Sequence, residues 1–376
     1  MAGNVIEREL TRAKTGAVDV ALATAADDAE IRRLLRENPM RGKISLSLER
    51  EPNYFADTHL PGETKQTIVV REHGRVTGAG SCTIRHRFIN GHARRVGYLG
   101  GLRLHREFAG RFDLIRRGYE FFHELQEAEP ADFYFTSIAA DNDRARRLLE
   151  RGLPGMPRYE FLGEFVTILL PVRRRTTTTQ TAALAPLHAE QLVKLANQHG
   201  SQFQLAPCWS EEELAALKSL GFRPENICVV RGDKRTSIAV LWDQGVFKQT
   251  VVRGFDRWLG LFRPALNLVS RFTGGTHLPP VGETVANAFV SHLATGPDGL
   301  EGSIALFNEL RDLAASQGVE LLTAGFDARD PRLALLRQHF RCREYRSRLY
   351  IVRWPDCGCA ASELDGSLLA PEAALL

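Results

Sequence analysis

LRLHREFAGRFD, residues 102–113, joins a predicted strand to a predicted helix through a short loop that contains glycine and basic residues. The helix extends over 113–127, where apolar residues recur with a period of 3.6 on one face. Free N–H groups at the start of such a helix, together with the helix dipole, favour a bound phosphate group. Gly110 lets the backbone approach a ligand closely, and Arg111, Arg116 or Arg117 can add charge-assisted contacts. This junction therefore predicts a pyrophosphate site.

The sequence also contains a diverged internal repeat. Residues 68–71 recur as 228–231, an offset of 160, whereas residues 121–125 recur as 306–310, an offset of 185. Two offsets that stay in order along the chain indicate a duplication, with about 25 extra residues in the second copy. The extra segment must lie between about 241 and 290.

The repeat predicts how the 376 residues are organised, since a chain of this length favours two domains. The polar run over 173–180 breaks the apolar periodicity and is typical of a linker. The predicted units are an N-terminal tail (1–17), a first domain (18–172), the linker (173–180), a second domain (181–355) with an insertion at about 242–285, and a flexible tail (356–376).

Each copy has the pattern of a mixed α/β domain. In the first copy a helix over 27–36 precedes strands over 67–70, 76–84 and 96–104, which are joined by turns at His73-Gly74 and Asn90-Gly91. A helix, a strand, a short helix and a last strand then follow, ending at residue 171, and the second copy repeats this ending up to Trp354. An antiparallel meander followed by such a unit predicts a mixed sheet with helices packed on it.

On these residues the sequence resembles the GNAT acyl-CoA N-acyltransferase superfamily. The resemblance rests on the strand LGGLRL (99–104), the loop FAGR (108–111), the helix after it, the strand FYFTSIA (133–139) and DNDRA (141–145). It implies two tandem GNAT-like domains and acetyl-CoA or another acyl-CoA as the acyl donor. The residues that it assigns to cofactor binding are Leu102, Arg103 and Leu104 on the strand, Ala109, Gly110, Arg111, Phe112, Asp113 and Leu114 in the loop, and Asn142 and Ala145 at the next helix.

The sequence departs from the family pattern at several of these positions. The family loop has Arg or Gln, Gly, and Gly or Ala at three anchor positions, which are Ala109, Phe112 and Leu114 here. The aromatic acid that often follows the family Asn corresponds to Leu149. The second-copy loop, residues 294–302, has two carboxylates and no basic residue, and these repel a pyrophosphate. We therefore expect acyl-CoA in the first copy only.

Acyl transfer to an amine requires a base for the ammonium group, an oxyanion donor and an acid for the thiolate. The resemblance implies a backbone N–H near residues 102–104 as the oxyanion donor. Tyr159 and Glu164 on the last strand of the first copy are the predicted catalytic residues. Glu160, Tyr98 and His105 stay open as alternatives for the acid or the base.

Composition excludes several other functions. A net charge of +4, from 49 basic and 45 acidic residues, argues against a dedicated nucleic-acid binder. The six cysteines include one Cys-Gly-Cys pair at 357–359 without a nearby histidine, so no metal is expected. No stretch of 18 apolar residues predicts a membrane span, and no secretory signal is recognised, so a cytoplasmic location is expected.

Two further segments leave alternatives open. The basic hairpin over 85–95 indicates either a solvated tip or a surface that steers an anionic acceptor. Aromatic and basic residues over 247–271 indicate a packed insertion, an acceptor site or contact with a lipid surface.

The sequence thus predicts an acyl-CoA-dependent N-acyltransferase that acts on a small-molecule or peptide amine. One alternative is a non-catalytic acyl-CoA-binding or regulatory protein. The other is an aminoacyl or peptidyl transferase, since tandem GNAT-like domains also occur in enzymes that use aminoacyl-tRNA.

Overall fold

The computed structural model describes residues 13–15, 18–127, 130–172, 187–231, 236–273, 277–295, 300–354 and 360–376. The α-helices are α1 (Asp28–Glu37), α2 (Phe112–Glu127), α3 (Asp143–Leu149), α4 (Ala189–Gly200), α5 (Glu211–Leu217), α6 (Arg257–Thr273), α7 (Leu300–Ser316) and α8 (Pro331–His339). The strands are β1 (Ala13–Thr15), β2 (Val18–Leu22), β3 (Ile44–Glu49), β4 (Thr64–Glu72), β5 (Arg75–Ile89), β6 (His92–Leu104), β7 (Phe133–Ala139), β8 (Arg158–Pro171), β9 (Ile227–Arg231), β10 (Thr236–Trp242), β11 (Gln249–Phe255), β12 (Asn287–Ala294), β13 (Leu321–Asp327) and β14 (Arg343–Arg353).

Two tight turns set the register of the antiparallel strands β4, β5 and β6. His73 and Gly74 have φ values of 51° and 80°, and Asn90 and Gly91 have φ values of 51° and 79°. Two consecutive residues with positive φ form the hairpin turn that matches the twist of the strands on either side. These are the two turns that the sequence predicts.

One mixed sheet contains both halves of the chain, in the order β1-β2-β4-β5-β6-β7-β14-β8-β13-β12-β10-β9. The last strand of each half lies within the other half. Strand β14 pairs antiparallel with β7 of the first half, and β8 pairs antiparallel with β13 of the second. β14 and β8 also pair with each other, which joins the halves at the centre of the sheet.

The helices that follow the central strands share one face of this sheet. Arg346 of β14 pairs with Val166 of β8, so the two residues lie on the same face, and Val352 lies there as well because side chains alternate along a strand. Val352 packs with α2, and Val166 packs with α7 and α8. The opposite face carries α1 against the first half and α4 and α5 against the second.

The insertion of the second half contains β11 and α6. β11 pairs antiparallel with β3 in a second, two-stranded sheet, so the insertion packs on the first half. Gln249 strengthens this contact, because its side chain bonds the backbone N–H and carbonyl of Glu51 at 2.9 and 2.8 Å. The predicted linker (173–180) and the Cys-Gly-Cys pair lie outside the described residues.

The flexible tail predicted over 356–376 is wrong for residues 360–376. Leu369 and Ala374 are only 2% and 3% exposed, and Ala370 donates a backbone hydrogen bond to Gln204. The small apolar residues that resemble a tail in sequence instead pack on the face of the sheet opposite α2 and α7. Their burial stabilises this segment in place.

Candidate functional site

Strands β6 and β7 part near their middles. They pair in parallel only from Val96 and Phe133 to Leu99 and Thr136, and the Thr136 hydroxyl donates to the Leu99 carbonyl at 2.7 Å. Just beyond, the register between β5 and β6 shifts, and Gly101 has a φ of 65°. An extra residue of this kind forms a β-bulge, which bends its strand. We call the gap between β6 beyond Leu99 and β7 beyond Thr136 the first wedge.

The predicted strand residues lie on the β6 side of the first wedge. Leu102 is 39% exposed, and Leu104 is half-buried against the core under α2. The Arg103 guanidinium donates to the Leu102 carbonyl at 2.9 Å, and burial lowers the pKa of Arg103 from its ordinary value. The structure therefore places these three residues together, on a strand edge that β7 does not pair with.

The loop after β6 differs from a phosphate cradle made of free N–H groups. The backbone N–H groups that already donate within it are those of Phe108, Ala109, Arg111, Phe112 and Leu114. The guanidinium of Arg111 binds both carboxylate oxygens of Asp113 at 2.8 Å and Glu72 at 3.0 Å, and these contacts raise its pKa. A pyrophosphate bound at this loop would have to replace these two carboxylates as the partner of the Arg111 guanidinium. Gly110, with a φ of 106°, has no heavy atom within 4 Å of the position that a Cβ would take.

Asn142 and Ala145 lie at the other arm of the first wedge, directly after β7. The Asn142 side-chain oxygen accepts from the Ala145 N–H at 3.1 Å and so caps α3. Arg146 in the same turn donates to the carbonyl of Ala140 at 2.8 Å. The cap fixes the start of α3 at the edge of the wedge.

The predicted catalytic pair, Tyr159 and Glu164, is not brought together. The Tyr159 hydroxyl bonds the hydroxyl of Tyr119 beneath α2, and burial raises the pKa of Tyr159 well above its ordinary value. The register of the sheet puts Tyr159 level with the closed end of the wedge. Glu164 is level with the open end of the wedge, but it lies on β8, two strands away from β7. Its carboxylate pairs with the Arg346 guanidinium at 3.2 Å.

The three alternatives from sequence lie in different surroundings. Tyr98 precedes Leu99, at the point where the strands part, and burial raises its pKa to about 12. The buried His105 ring has its Nε2 atom 3.3 Å from a carboxylate oxygen of Glu37. Glu160 accepts from Arg353 at 2.6 Å and from a backbone N–H of the C-terminal segment at 2.9 Å. Of the three, Tyr98 adjoins the first wedge.

A second wedge occurs at the equivalent place in the second half. Strands β12 and β13 pair in parallel only up to Phe289 and Thr323, and a register shift follows at His292, whose φ is 52°. Ala370, Glu372 and Ala373 of the C-terminal segment line a cleft beside this gap, together with residues of β12, β13, α4 and the start of α8. The side chains that give this cleft its chemistry are His199, Phe203, Trp209, His292, Arg332 and Glu372.

Sequence reasoning missed Glu372, which is the acidic group of this cleft. Its Oε1 atom accepts from the His292 backbone N–H at 3.1 Å, and burial raises the pKa of Glu372 to about 7. Among the described residues it is the carboxyl group whose pKa is raised. The one sequence signal is a single acid in the apolar run LLAPEAALL at 368–376.

His292 forms the floor of the cleft. Its ring stacks on Trp209 with centroids 3.9 Å apart, and burial lowers the pKa of His292 to about 3. Its Nδ1 atom bonds the hydroxyl of Ser291 at 2.9 Å, whereas Nε2 has no hydrogen-bond partner among the described residues. A neutral imidazole with one free nitrogen can accept or donate one hydrogen bond to a ligand.

Arg87 connects the cleft to the first wedge. Its guanidinium donates to the carbonyls of Pro371 and Leu205, both at 2.8 Å, and lies 5.0 Å from the centre of the Phe135 ring. Phe135 in turn lies 5.0 Å from Tyr98. Arg87 is 1% exposed and burial lowers its pKa to about 9, so the basic hairpin is not a solvated tip at this position.

The sequence matches no family model and no curated protein. The fold is similar to that of Saccharomyces cerevisiae N-myristoyltransferase with bound myristoyl-CoA and inhibitors, with a TM-score of 0.60 at 12% identity over 95% of this chain and 87% of that one. A second structure of that enzyme with myristoyl-CoA gives 0.58 at 11% identity over 90% and 83%. A GCN5-related N-acetyltransferase from Sphaerobacter thermophilus is also similar, at 0.47 and 13% identity over 90% and 96%. The mixed α/β fold expected from the sequence is confirmed, and the chain shares it with these N-myristoyltransferase structures.

Proposed function

We propose that this protein is an acyl-CoA-dependent N-acyltransferase that binds acyl-CoA in the first wedge and an amine acceptor in the cleft of the second half. The proposal assigns the donor to residues 18–172 and the acceptor to residues 181–376. The acceptor is a small molecule or a peptide with a free amine.

The observation that carries the proposal is the contrast between the two wedges. In both halves the parallel strands part shortly before a residue with positive φ, Gly101 in one and His292 in the other. In the second half the protein's own C-terminal segment borders the gap, where Glu372 accepts from the backbone N–H of His292 at 3.1 Å. In the first half the corresponding edge of β6 is exposed at Gly101 and Leu102. An unpaired strand edge offers N–H and C=O groups to an extended ligand, and the amide-containing pantetheine arm is such a ligand.

The residues around the first wedge fit this ligand in part. The strand edge suits the pantetheine amides, and Arg111 at the loop supplies the positive charge for a pyrophosphate once Asp113 and Glu72 release it. The similar N-myristoyltransferase structures contain myristoyl-CoA, which supports an acyl-CoA as the donor. Acetyl-CoA and long-chain acyl-CoA are both donors to be compared.

The chemistry then needs a base, an acid and an oxyanion donor. When bound, acyl-CoA supplies the thioester whose carbonyl carbon the amine attacks. Glu372 takes the proton from the acceptor's ammonium group, since a carboxylate with a pKa near 7 is a suitable base at neutral pH. Backbone N–H groups of β6 beyond Leu99 stabilise the oxyanion. Tyr98, which stays protonated below pH of about 12, donates a proton to the departing sulfur.

The test measures free thiol released from a series of acyl-CoA donors, from acetyl to myristoyl, with a panel of amines. We expect amine-dependent release from at least one donor, and loss of coenzyme A binding in Arg111→Glu, which places a carboxylate at the pyrophosphate. Glu301→Ala is the matched control at the equivalent second-half loop and should bind as wild type. Equal losses in both variants, measured by calorimetry, would contradict the assignment of the donor to the first wedge.

One observation favours a second candidate function, a non-catalytic acyl-CoA-binding protein. Tyr159 and Glu164, the pair predicted from the sequence, are engaged with Tyr119 and Arg346 rather than with each other. Binding of acyl-CoA without thiol release for any amine would favour this alternative over catalysis.

A further inference from the structure

Helix α6 presents its apolar side chains outward. It lies in the insertion of the second half, and the described part of the helix contains no fully buried residue. The large apolar side chains, with their exposed fractions, are Trp258 (69%), Leu261 (69%), Phe262 (52%), Leu266 (43%), Leu268 (57%) and Val269 (54%). A monomeric protein rarely exposes a contiguous apolar surface of this kind unless something covers it.

The stripe that faces the protein is mainly polar. Leu259, Arg263 and Asn267 are the described α6 residues that are half-buried, and they recur at every fourth position. The Asn267 side chain exchanges two hydrogen bonds with the backbone of Leu278, at 2.8 and 3.0 Å, and Arg263 donates to the same carbonyl at 3.4 Å. This is the reverse of an ordinary surface helix, whose apolar stripe faces the core.

The charge on α6 has one sign. Its sequence, RWLGLFRPALNLVSRFT, contains three arginines and no acidic residue. Asp256 precedes the helix and accepts from the Leu259 N–H at 2.7 Å, as a cap at the N-terminus. Arginines beside tryptophan, phenylalanine and leucine are the composition of helices that lie at a membrane interface.

The length of α6 fits a helix that lies on a bilayer rather than across it. Seventeen residues extend for about 25 Å, and a spanning helix needs about 20 residues that are predominantly apolar. No helix in the described part of the chain is long and apolar enough to cross a membrane.

We propose that α6 docks the protein on an anionic lipid surface, with Trp258, Leu261 and Phe262 inserted among the acyl chains. The positive charge of the exposed Arg257, on a helix without any acidic residue, matches anionic headgroups, and a single convex helix offers no groove for a protein segment. The proposal is independent of the acyl-transfer function, because it concerns only the insertion.

Tryptophan fluorescence with lipid vesicles tests the proposal directly. Trp258 is 69% exposed, whereas the other three tryptophans, Trp209, Trp242 and Trp354, are 6% exposed or less. Vesicles containing phosphatidylglycerol should therefore shift the emission to shorter wavelength through Trp258 alone, and co-sediment with the protein. Phosphatidylcholine vesicles should cause a much smaller emission shift and much less co-sedimentation, and added salt should weaken binding to the phosphatidylglycerol vesicles.

The decisive variant is Trp258→Gln/Leu261→Gln/Phe262→Gln, measured by co-sedimentation without acyl-CoA. Removing an apolar side chain from a membrane costs about tenfold in affinity or more, so the triple variant should bind at least about a thousandfold more weakly. Val246→Gln removes a side chain that is 56% exposed in a different loop and should bind as wild type.

Three results would overturn the proposal. The first is wild-type protein that fails to sediment with anionic vesicles. The second is a triple variant that binds them as well as wild type. The third is wild-type protein that self-associates through this patch in sedimentation velocity and is dispersed by the same three changes, which would assign the patch to a second copy of the chain.

Discussion

Replacing Glu372 by Gln should stabilise the protein at alkaline pH and abolish acyl transfer. Burial raises the pKa of this carboxyl to about 7, from 4.5 in an unfolded chain. The native state therefore binds the proton more tightly, so stability falls as pH rises from about 4.5 to 7 and stays lower above that range. The cost of ionisation above pH 7 is about 3 kcal/mol. Gln keeps the oxygen that accepts from the His292 N–H and removes the charge.

Chemical denaturation at pH 5 and pH 8 measures this effect. We expect Glu372→Gln to gain up to about 3 kcal/mol relative to wild type at pH 8 and little at pH 5. Glu190→Gln, in the exposed first turn of α4, is the matched control for the substitution itself and should unfold as wild type does. A gain of the same size at both pH values would refute the argument. For catalysis, kcat/KM of the wild type should rise through pH 7, and a Glu372→Gln enzyme with wild-type kcat would exclude this residue as the base.

Three further predictions follow from the wedges and the shared sheet. Gly101→Ala and Gly74→Ala each place a side chain at positive φ and should each cost about 1 kcal/mol in denaturation, but only the Gly101 change should weaken coenzyme A binding in calorimetry. The wild-type His292 imidazole has a pKa of about 3 and stays neutral in the fold, so it should lower the stability of the protein by about 1.4 kcal/mol for each pH unit between pH 6 and pH 4. His292→Asn, whose side chain tolerates positive φ, should abolish this part of the pH dependence in denaturation measured between pH 4 and 6. A fragment of residues 1–175 should aggregate when expressed alone, and size-exclusion chromatography should show recovery when residues 180–376 are co-expressed.

Local patterns in the sequence were sufficient to predict most elements of the first half, although strands β2 and β3 were not among those predicted. The His73-Gly74 and Asn90-Gly91 turns adopt the positive φ values that such dipeptides favour, and helix α2 begins one residue before the predicted start. These predictions succeed because turn chemistry and helical periodicity depend on neighbours in sequence. The repeat was likewise visible, since β4 and β9, and α2 and α7, contain the matched segments.

Long-range placement is what the sequence did not reveal. Nothing local distinguishes a last strand that pairs within its own half from one that pairs in the other, as β8 and β14 do. The residues that line the cleft come from four separated segments, and the raised pKa of Glu372 depends on burial by all of them. Tyr159 fits the pattern of a catalytic residue, but the hydroxyl of Tyr119, 40 positions away, is its partner in the fold.

The exchange of last strands explains why the proposed donor site needs the second half. Strand β7, one arm of the first wedge, is held on its other side by β14, from Phe135–Ile351 to Ala139–Ser347. In a first half alone, β7 and β8 would lose β14 between them, and β8 would also lose β13, so three strand edges would be left unpaired. Exposed apolar strand edges associate with other chains, which is why the fragment should aggregate. A soluble 1–175 fragment with full coenzyme A affinity would show instead that β8 can move in beside β7 and restore a self-contained wedge.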